Sequence, residues 1–329
     1  MGASSFPYIC KLCGGINCKI LSEKQERSVG FKLIQCKSCG FCFVDPLPPK
    51  GIQISFFEGE EAPIPSPDLA RFNRKVKRLS SPMSRFLLQV FKNYKFYDFK
   101  TNWLLKVICC PAMLFTLKNI IPFQGQGRVL DIGCNNGLSL AILQSLGWKV
   151  QGVEQELSLC KEAEKLGITT HHGTLETANF PSKSLDVVIF NQVFEHLDDP
   201  LGILKEVKRI LADDGRIYIE VPNQRSFAFH ALGERFYGYP MHIHIFSPST
   251  MSRLCKQAGL KVRRVRVRCG ASLFIHAMRQ RCNESPLKAV RIFSPFLDTR
   301  LGELLLKSFQ QYILHPLRLG DVMLAEISK

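Results

Sequence analysis

Nowhere does this 329-residue sequence run for the ~20 clean apolar residues that a membrane-spanning helix needs; residues 103–123 come nearest and are broken by Lys106, Pro111 and Lys118. No basic start followed by an apolar core opens the chain, so no secretory signal is expected. Phe6 stands where a myristoylation motif would need Ser or Thr. Acids are scarce too: 28 Asp and Glu face 44 Lys and Arg, a formal charge of +16. Composition is otherwise that of a globular chain, 46% apolar and 22% charged, and the length suits one large domain with a small one. Thirteen cysteines without an export signal point to a reducing compartment, hence to thiols or metal rather than disulfides. The expected location is the cytoplasm, with a peripheral position at the inner face of a membrane as the variant.

The positive surplus is concentrated. Residues 71–106 hold ten Lys/Arg against one acid, Asp98 (net +9), and residues 261–291 hold nine against one, Glu284 (net +8). Such a surplus faces either solvent or an anionic partner: nucleic acid, acidic lipid or a phosphorylated substrate. For 71–106 the expected partner is an anionic membrane surface or acceptor, ahead of nucleic acid.

The rest of the chain is organised around Val129-Leu130-Asp131-Ile132-Gly133-Cys134-Asn135-Asn136-Gly137. Apolar strand formers run into an acid, a glycine turn follows, and a helical pattern opens over 138–146. That order puts backbone N–H groups at the C-terminal end of a buried parallel strand, where open α/β sheets take their ligands. About twenty residues on, a second strand ends in Glu154, whose carboxylate can accept both ribose hydroxyls of an adenosine ligand. The turn lacks the G-x-G-x-x-G of pyrophosphate binders. Asp131 before it suits a ligand with a cationic amino group and no phosphate, and S-adenosylmethionine is such a ligand.

On these residues the sequence resembles the class I S-adenosylmethionine-dependent methyltransferases, whose first motif reads D-x-G-x-G-x-G. Asn135 takes the place of the middle glycine; asparagine is one of the few side chains that tolerate a left-handed backbone. The resemblance covers about 122–260. It implies a Rossmann-like α/β sheet of parallel strands with a C-terminal antiparallel hairpin and helices on both faces. It also implies a cofactor site made by Asp131, Gly133, Asn135, Gly137 and Glu154, by Gly173-Thr174-Leu175 under the adenine, and by Asn191 at the end of the fourth strand. Residues 181–188 resemble the P-x-x-S-x-D-x-V run that leads into that strand.

A second signal lies in residues 1–50. Cys10-Lys11-Leu12-Cys13 and Cys36-Lys37-Ser38-Cys39 are two C-x-x-C pairs with 22 residues between them. Each clamps one side of a tetrahedral ion from a turn, and the intervening chain returns as a hairpin, the build of a zinc ribbon. Four thiolates leave no open position, so the zinc is expected to be structural. Cys18 and Cys42 read as spare thiols, with Cys42 able to replace a ligand. Residues 40–48 resemble the ribbon that precedes the catalytic domain in many bacterial small-molecule methyltransferases.

The expected layout is a ribbon over 1–50, a proline-rich linker and basic helical segment over 51–123, and a catalytic domain over 124–329 with an insertion at about 269–319. Strands are read at 128–133, 149–154, 168–172, 185–191 and 216–221, with a closing hairpin at 260–268 and 320–327. Helices fall near 138–146, 156–166, 199–211 and 248–258. The helices of 69–123 are expected to roof the pocket.

Two histidines are candidates for chemistry. His196 follows the fourth strand beside Glu195; that pair resembles O-methyltransferases of ubiquinone-like and natural-product pathways. A near-neutral imidazole there can take the proton of a hydroxyl acceptor, or it can be a structural histidine. Glu195-His196 also resembles half of an E-x-x-E-H metal site, but Gln192 stands at its first position. His242 lies in Tyr237-Gly238-Tyr239-Pro240-Met241-His242-Ile243-His244-Ile245-Phe246-Ser247, which resembles an acceptor-side loop. On an extended segment His242 and His244 would face the pocket together, with Tyr237 and Tyr239 walling the acceptor. The leading expectation is methyl transfer to a small-molecule hydroxyl of a sugar, lipid-linked saccharide or natural product. The alternatives are an RNA methyltransferase that uses the basic surface and ribbon, and a non-catalytic S-adenosylmethionine-binding scaffold.

Overall fold

The computed structural model of the chain describes residues 8–26, 29–49, 69–92, 94, 120–232, 238–268, 295, 299–309, 313–314, 317 and 319–329. Most of the linker, of 95–123 and of 269–319 falls outside these residues, as does Tyr237. The chain divides into two compact units. The first comprises Met1–Glu61, Gln192–Lys205 and Tyr218–Ile327; the second comprises Ala62–Asn191, Glu206–Ile217 and Ser328–Lys329.

The main sheet has seven strands: β4 (Arg128–Ile132), β5 (Lys149–Glu154), β6 (Thr169–His172), β7 (Leu185–Asn191), β8 (Leu211–Pro222), β10 (Lys261–Arg268) and β11 (Val322–Ser328). Their order is β10-β11-β8-β7-β4-β5-β6, mostly parallel with an antiparallel C-terminal hairpin. In the second unit β4 pairs in parallel with β5 on one side and β7 on the other, opposing Asp131 to Gly152 and to Ile189. The chain steps outward from β4 through β5 to β6, then returns to β7 on the opposite flank. That reversal opens a crevice at the C-terminal ends of β4 and its neighbours.

Buried apolar runs make these strands. Val129, Leu130, Val187, Val188 and Phe190 are all fully enclosed, as parallel strands covered on both faces require. Helices α3 (Leu138–Ser145), α4 (Leu157–Lys165), α5 (Leu175–Ala178) and α6 (Pro200–Ile210) connect them. Upstream, α1 (Leu69–Leu79) and α2 (Pro82–Lys92) carry exposed Arg74, Lys75, Lys77 and Arg78. Tyr94 anchors this region: its hydroxyl accepts from Trp148 Nε1 (2.8 Å), and Phe123 stacks 4.8 Å from Trp148. Tyr94 and Phe123 thus pack on Trp148, just before β5. A roof over the pocket would fall on residues 95–119, outside the described ones.

In the first unit β1 (Cys18–Glu26) and β2 (Val29–Cys36) form the ribbon's hairpin, and β3 (Cys42–Asp45) pairs with β2. The fourth strand of this sheet comes from far along the chain. It is β9 (His244–Ile245), antiparallel to β3 with Cys42 opposite Ile245 and Phe43 opposite His244. Fifty residues cannot bury enough apolar surface alone. Tyr239, Ile243 and Ile245 therefore complete a core with Phe31, Leu33, Cys42 and Val44. Helix α7 (Phe227–Leu232) and helix α8 (Pro248–Gln257) flank β9. Ser247 caps α8, accepting from the Thr250 N–H while Thr250 Oγ1 accepts from the Ser247 N–H (2.8 Å).

Candidate active site

The second unit gathers the whole Asp131 turn at the mouth of its crevice. Gly133 (φ 71°) and Asn135 (φ 52°) are both left-handed, so the asparagine takes up the backbone that a glycine would. Asn135 also stabilises its own turn, its Oδ1 accepting from the Asn136 N–H at 2.7 Å. At Gly137 (φ 74°) a Cβ would meet Ala163 Cβ at 2.8 Å, so only glycine lets α3 start this close to α4. Glu154 ends β5 and closes the turn from the other side. Its carboxylate accepts from the N–H groups of Asn135 (2.9 Å), Gln155 (2.8 Å) and Glu156 (3.1 Å). Its carbonyl accepts from the Gly173 N–H at 2.9 Å, which brings Gly173-Thr174 alongside. Leu175 turns its side chain into the core at 2% exposure, so a ligand at that position would meet backbone. Asn191 is exposed at the end of β7.

Asp131 is the odd member. It is 4% exposed, yet its Oδ1 has no hydrogen-bond partner among the described residues. Burial, reinforced by the charge of Glu154, pushes its pKa up to about 8. A buried oxygen left without a donor is costly unless something arrives to satisfy it. A cationic amino group would do so, and S-adenosylmethionine carries one next to an adenosine whose ribose suits Glu154. The residues present fit that cofactor.

The first unit holds the histidines. A short 3₁₀ turn, Phe194–His196, places Glu195 and His196 against the 241–243 segment. The Ile243 N–H donates to the Glu195 carbonyl (3.1 Å), and His196 Nδ1 bonds the Met241 carbonyl (2.9 Å). A carbonyl only accepts, so Nδ1 carries the proton and Nε2 presents a lone pair. Burial lowers the His196 pKa and keeps the ring neutral. His242 lies 4.7 Å from it, ring to ring. Glu195 is wholly buried, neither of its oxygens has a hydrogen-bond partner among the described residues, and burial raises its pKa to about 8. Ligand atoms of Glu195, His196 and His242 lie within 4.8 Å of one another, a set of three able to hold a divalent ion. Spacing along the sequence could not reveal this trio, because the third ligand comes from beyond β8 and not from position 192.

His244 does not join His242. The chain bends at residue 242 before β9 begins, which breaks the alternation that would have aligned the two. His244 is instead buried in the ribbon's sheet 5.6 Å from the Phe41 ring, where burial and then Lys11 drive its pKa down to about 3. Tyr239 likewise belongs to the ribbon's core, with its hydroxyl 2.6 Å from Ser22 Oγ, and walls no acceptor.

Four ribbon thiols converge. Cys10 pairs with Cys39, and Cys13 with Cys36, each at 3.6 Å between sulfurs, and all four lie within 4.8 Å. Burial opposes ionisation of Cys36, but N–H groups of Cys39 and Ser38 and the Cys13 thiol outweigh it and bring its pKa down to about 6. Cys42 replaces none of the four; burial pushes it up to about 12, and Gln224 Nε2 donates to its sulfur (3.1 Å).

Comparison with known proteins agrees with this geometry. A methyltransferase-domain family model matches residues 104–265. The ubiquinone biosynthesis O-methyltransferase of Dinoroseobacter shibae is 29% identical over 208 residues, covering 59% of this chain and 82% of that protein. Its namesake from a Ruegeria species is 32% identical over 158 residues, 44% of this chain and 64% of the relative. The chain spans slightly under two thirds of the length of this second relative. An S-adenosylmethionine-dependent methyltransferase of Archaeoglobus fulgidus superposes with a TM-score of 0.44 at 18% identity, over 69% of this chain and 93% of that one. Nearly half of the chain thus matches a methyltransferase-domain family, and four cysteines of the first unit form a zinc-ribbon-like cluster.

Proposed function

We propose that the protein transfers the methyl group of S-adenosylmethionine to a hydroxyl of a small molecule, with His196 as the base. The observation that carries this is the fixed tautomer of His196: Nδ1 is committed to the Met241 carbonyl, and the ring is kept neutral by burial. In this tautomer Nε2 is the ring atom able to accept a proton. The acceptor oxygen attacks the methyl carbon, the carbon–sulfur bond breaks to give S-adenosylhomocysteine, and the hydroxyl proton goes to Nε2. The relatives named for O-methylation in ubiquinone biosynthesis support a hydroxyl acceptor. His196→Ala should lower turnover on the acceptor by ~10²–10⁴-fold and leave cofactor affinity nearly unchanged. Near-wild-type turnover in both His196→Ala and His242→Ala would remove the protein base from the scheme.

A second reading is favoured by the orphaned carboxylate of Glu195. A divalent ion on Glu195, His196 and His242 would acidify a bound hydroxyl directly. Turnover that survives exhaustive chelation in wild type, yet falls in His196→Ala, supports the base; turnover restored only by added ion supports the metal.

We also infer one structural zinc on Cys10, Cys13, Cys36 and Cys39. With ~2.3 Å zinc–sulfur bonds, tetrahedral sulfurs stand about 3.8 Å apart, close to the two pairs seen here. Metal analysis of protein purified without added zinc should return about one equivalent, and Cys13→Ser with Cys39→Ser should lose it.

A further inference from the structure

The cysteine ribbon reaches the histidines along two separate routes, and we propose that it is the frame that fixes the His196 ring. The first route is backbone. Strand β3 leaves the second C-x-x-C loop directly, where the Gly40 N–H donates to the Cys36 carbonyl (2.8 Å) and the Cys36 N–H to the Phe41 carbonyl (2.9 Å). From β3 the Val44 N–H donates to the Ile243 carbonyl (2.9 Å), and the Ile243 N–H donates in turn to the Glu195 carbonyl (3.1 Å). His196 comes next, with its Nδ1 on the Met241 carbonyl. Ile243 itself is fully buried in the ribbon's core with Phe31, Leu33 and Val44. The second route is a ladder of rings. Phe41 lies 5.4 Å from Phe246, and Phe246 lies 5.5 Å from Phe194, which opens the 3₁₀ turn that carries His196. All three rings are buried.

Neither the turn nor the segment facing it can keep this geometry alone. The turn has three residues and β9 has two, too few for either to be stable without a fixed neighbour. The ribbon is fixed at both of its C-x-x-C loops. The side-chain amide of Gln257 donates to the Leu12 carbonyl, and that of Gln224 to the Gly40 carbonyl, each at 2.8 Å. Leu12 lies inside the first loop and Gly40 just after the second, so zinc on the four thiols would stiffen the backbone from which both routes start. Phe41 and Ile243 are thus positioning residues that act through His196. Their effect on turnover rests on His196 being the base; their hold on its ring does not.

The test uses the full chain in two variants: Phe41→Leu, which keeps all four thiols, and Cys13→Ser with Cys39→Ser, which removes the metal. The readout is nitrogen NMR of the His196 ring in isotope-labelled protein, assigned against His196→Ala. In wild type Nδ1 should show the shift of a protonated ring nitrogen and Nε2 that of a bare one. In both variants the two shifts should move toward a common average as the tautomer is released, at unchanged S-adenosylmethionine affinity. Turnover should fall by about tenfold or more, as expected for a displaced reacting group. Wild-type shifts in both variants overturn the proposal. Averaged shifts at unchanged turnover uphold the ribbon's hold on the ring and remove His196 as the base. Should the double-cysteine variant misfold, Phe41→Leu decides by itself.

Discussion

The two ends of the β4–β7 pair treat a buried acid in opposite ways. At the N-terminal end Asp186 is saturated: it accepts from the backbone N–H groups of Gln126 (3.0 Å) and Arg128 (2.9 Å) and from the Arg128 guanidinium (3.1 and 2.8 Å). Burial alone would raise its pKa, but these donors outweigh it and hold the carboxyl below the usual range. At the C-terminal end Asp131 keeps an oxygen without a donor and is pushed up to about 8. One acid is completed by the fold and holds it together. The other is left incomplete by the fold, and the ammonium of the proposed cofactor would complete it.

The largest break of this contrast is Asp186→Ala, which strips Arg128 of its partner and leaves two backbone N–H groups without an acceptor. It should cost about 3 kcal/mol of unfolding free energy, the low end for a broken buried pair because Arg128 keeps partial access to water. Chemical denaturation measures this, and a loss below about 1 kcal/mol would mean that solvent replaces the pair.

Asp131→Asn should act in the other direction. S-adenosylmethionine binding should weaken tens-fold with loss of a charge-assisted contact, while unfolding free energy stays level or rises. Calorimetry and melting on the same sample check both halves.

The pH dependences should also oppose each other. A depressed carboxyl such as Asp186 stabilises above its unfolded pKa and loses that contribution as pH falls through the folded value. Asp131, raised, contributes most below its unfolded pKa and loses that contribution as pH climbs toward about 8. Cofactor affinity should follow the ionised fraction and drop about tenfold from pH 7 to pH 6, while the ligand's ammonium stays charged. A flat profile in wild type would place the ammonium elsewhere; Asp131→Asn should be flat.

The smallest effect expected is at Asn135. Its backbone is already left-handed, so Asn135→Gly forfeits only the Oδ1 bond to Asn136, about 1 kcal/mol of stability. Cofactor affinity should stay within about threefold. A larger loss would give the amide a role in binding beyond shaping the turn.

The same contrast explains what could be read in advance. The alternation of strands and helices from 128 to 268 was legible, because parallel strands buried on both faces must be apolar runs and their glycine turns are local in sequence. The four cysteines were legible for a similar reason, since C-x-x-C states its geometry within one turn. Other pairings were not. The sheet partner of Cys42 and Phe43 lies some 200 residues on at Ile245 and His244, and no period connects them. The alternation from His242 to His244 suggested a shared face that the bend before β9 breaks.

By itself, then, the sequence determined which backbone segments become strands, turns and caps, and hence that Asp131, Gly133, Gly137 and Glu154 share one end of a parallel sheet. Those outcomes depend on φ/ψ preferences and burial patterns that act within a few residues. Only the tertiary structure decided that His196 and His242 meet over Glu195, that Tyr239 and His244 belong to the ribbon, and that Asp186 is satisfied while Asp131 is not. Those outcomes depend on which buried polar atoms find partners, and partners separated by tens or hundreds of residues are chosen by packing, not by their neighbours in sequence.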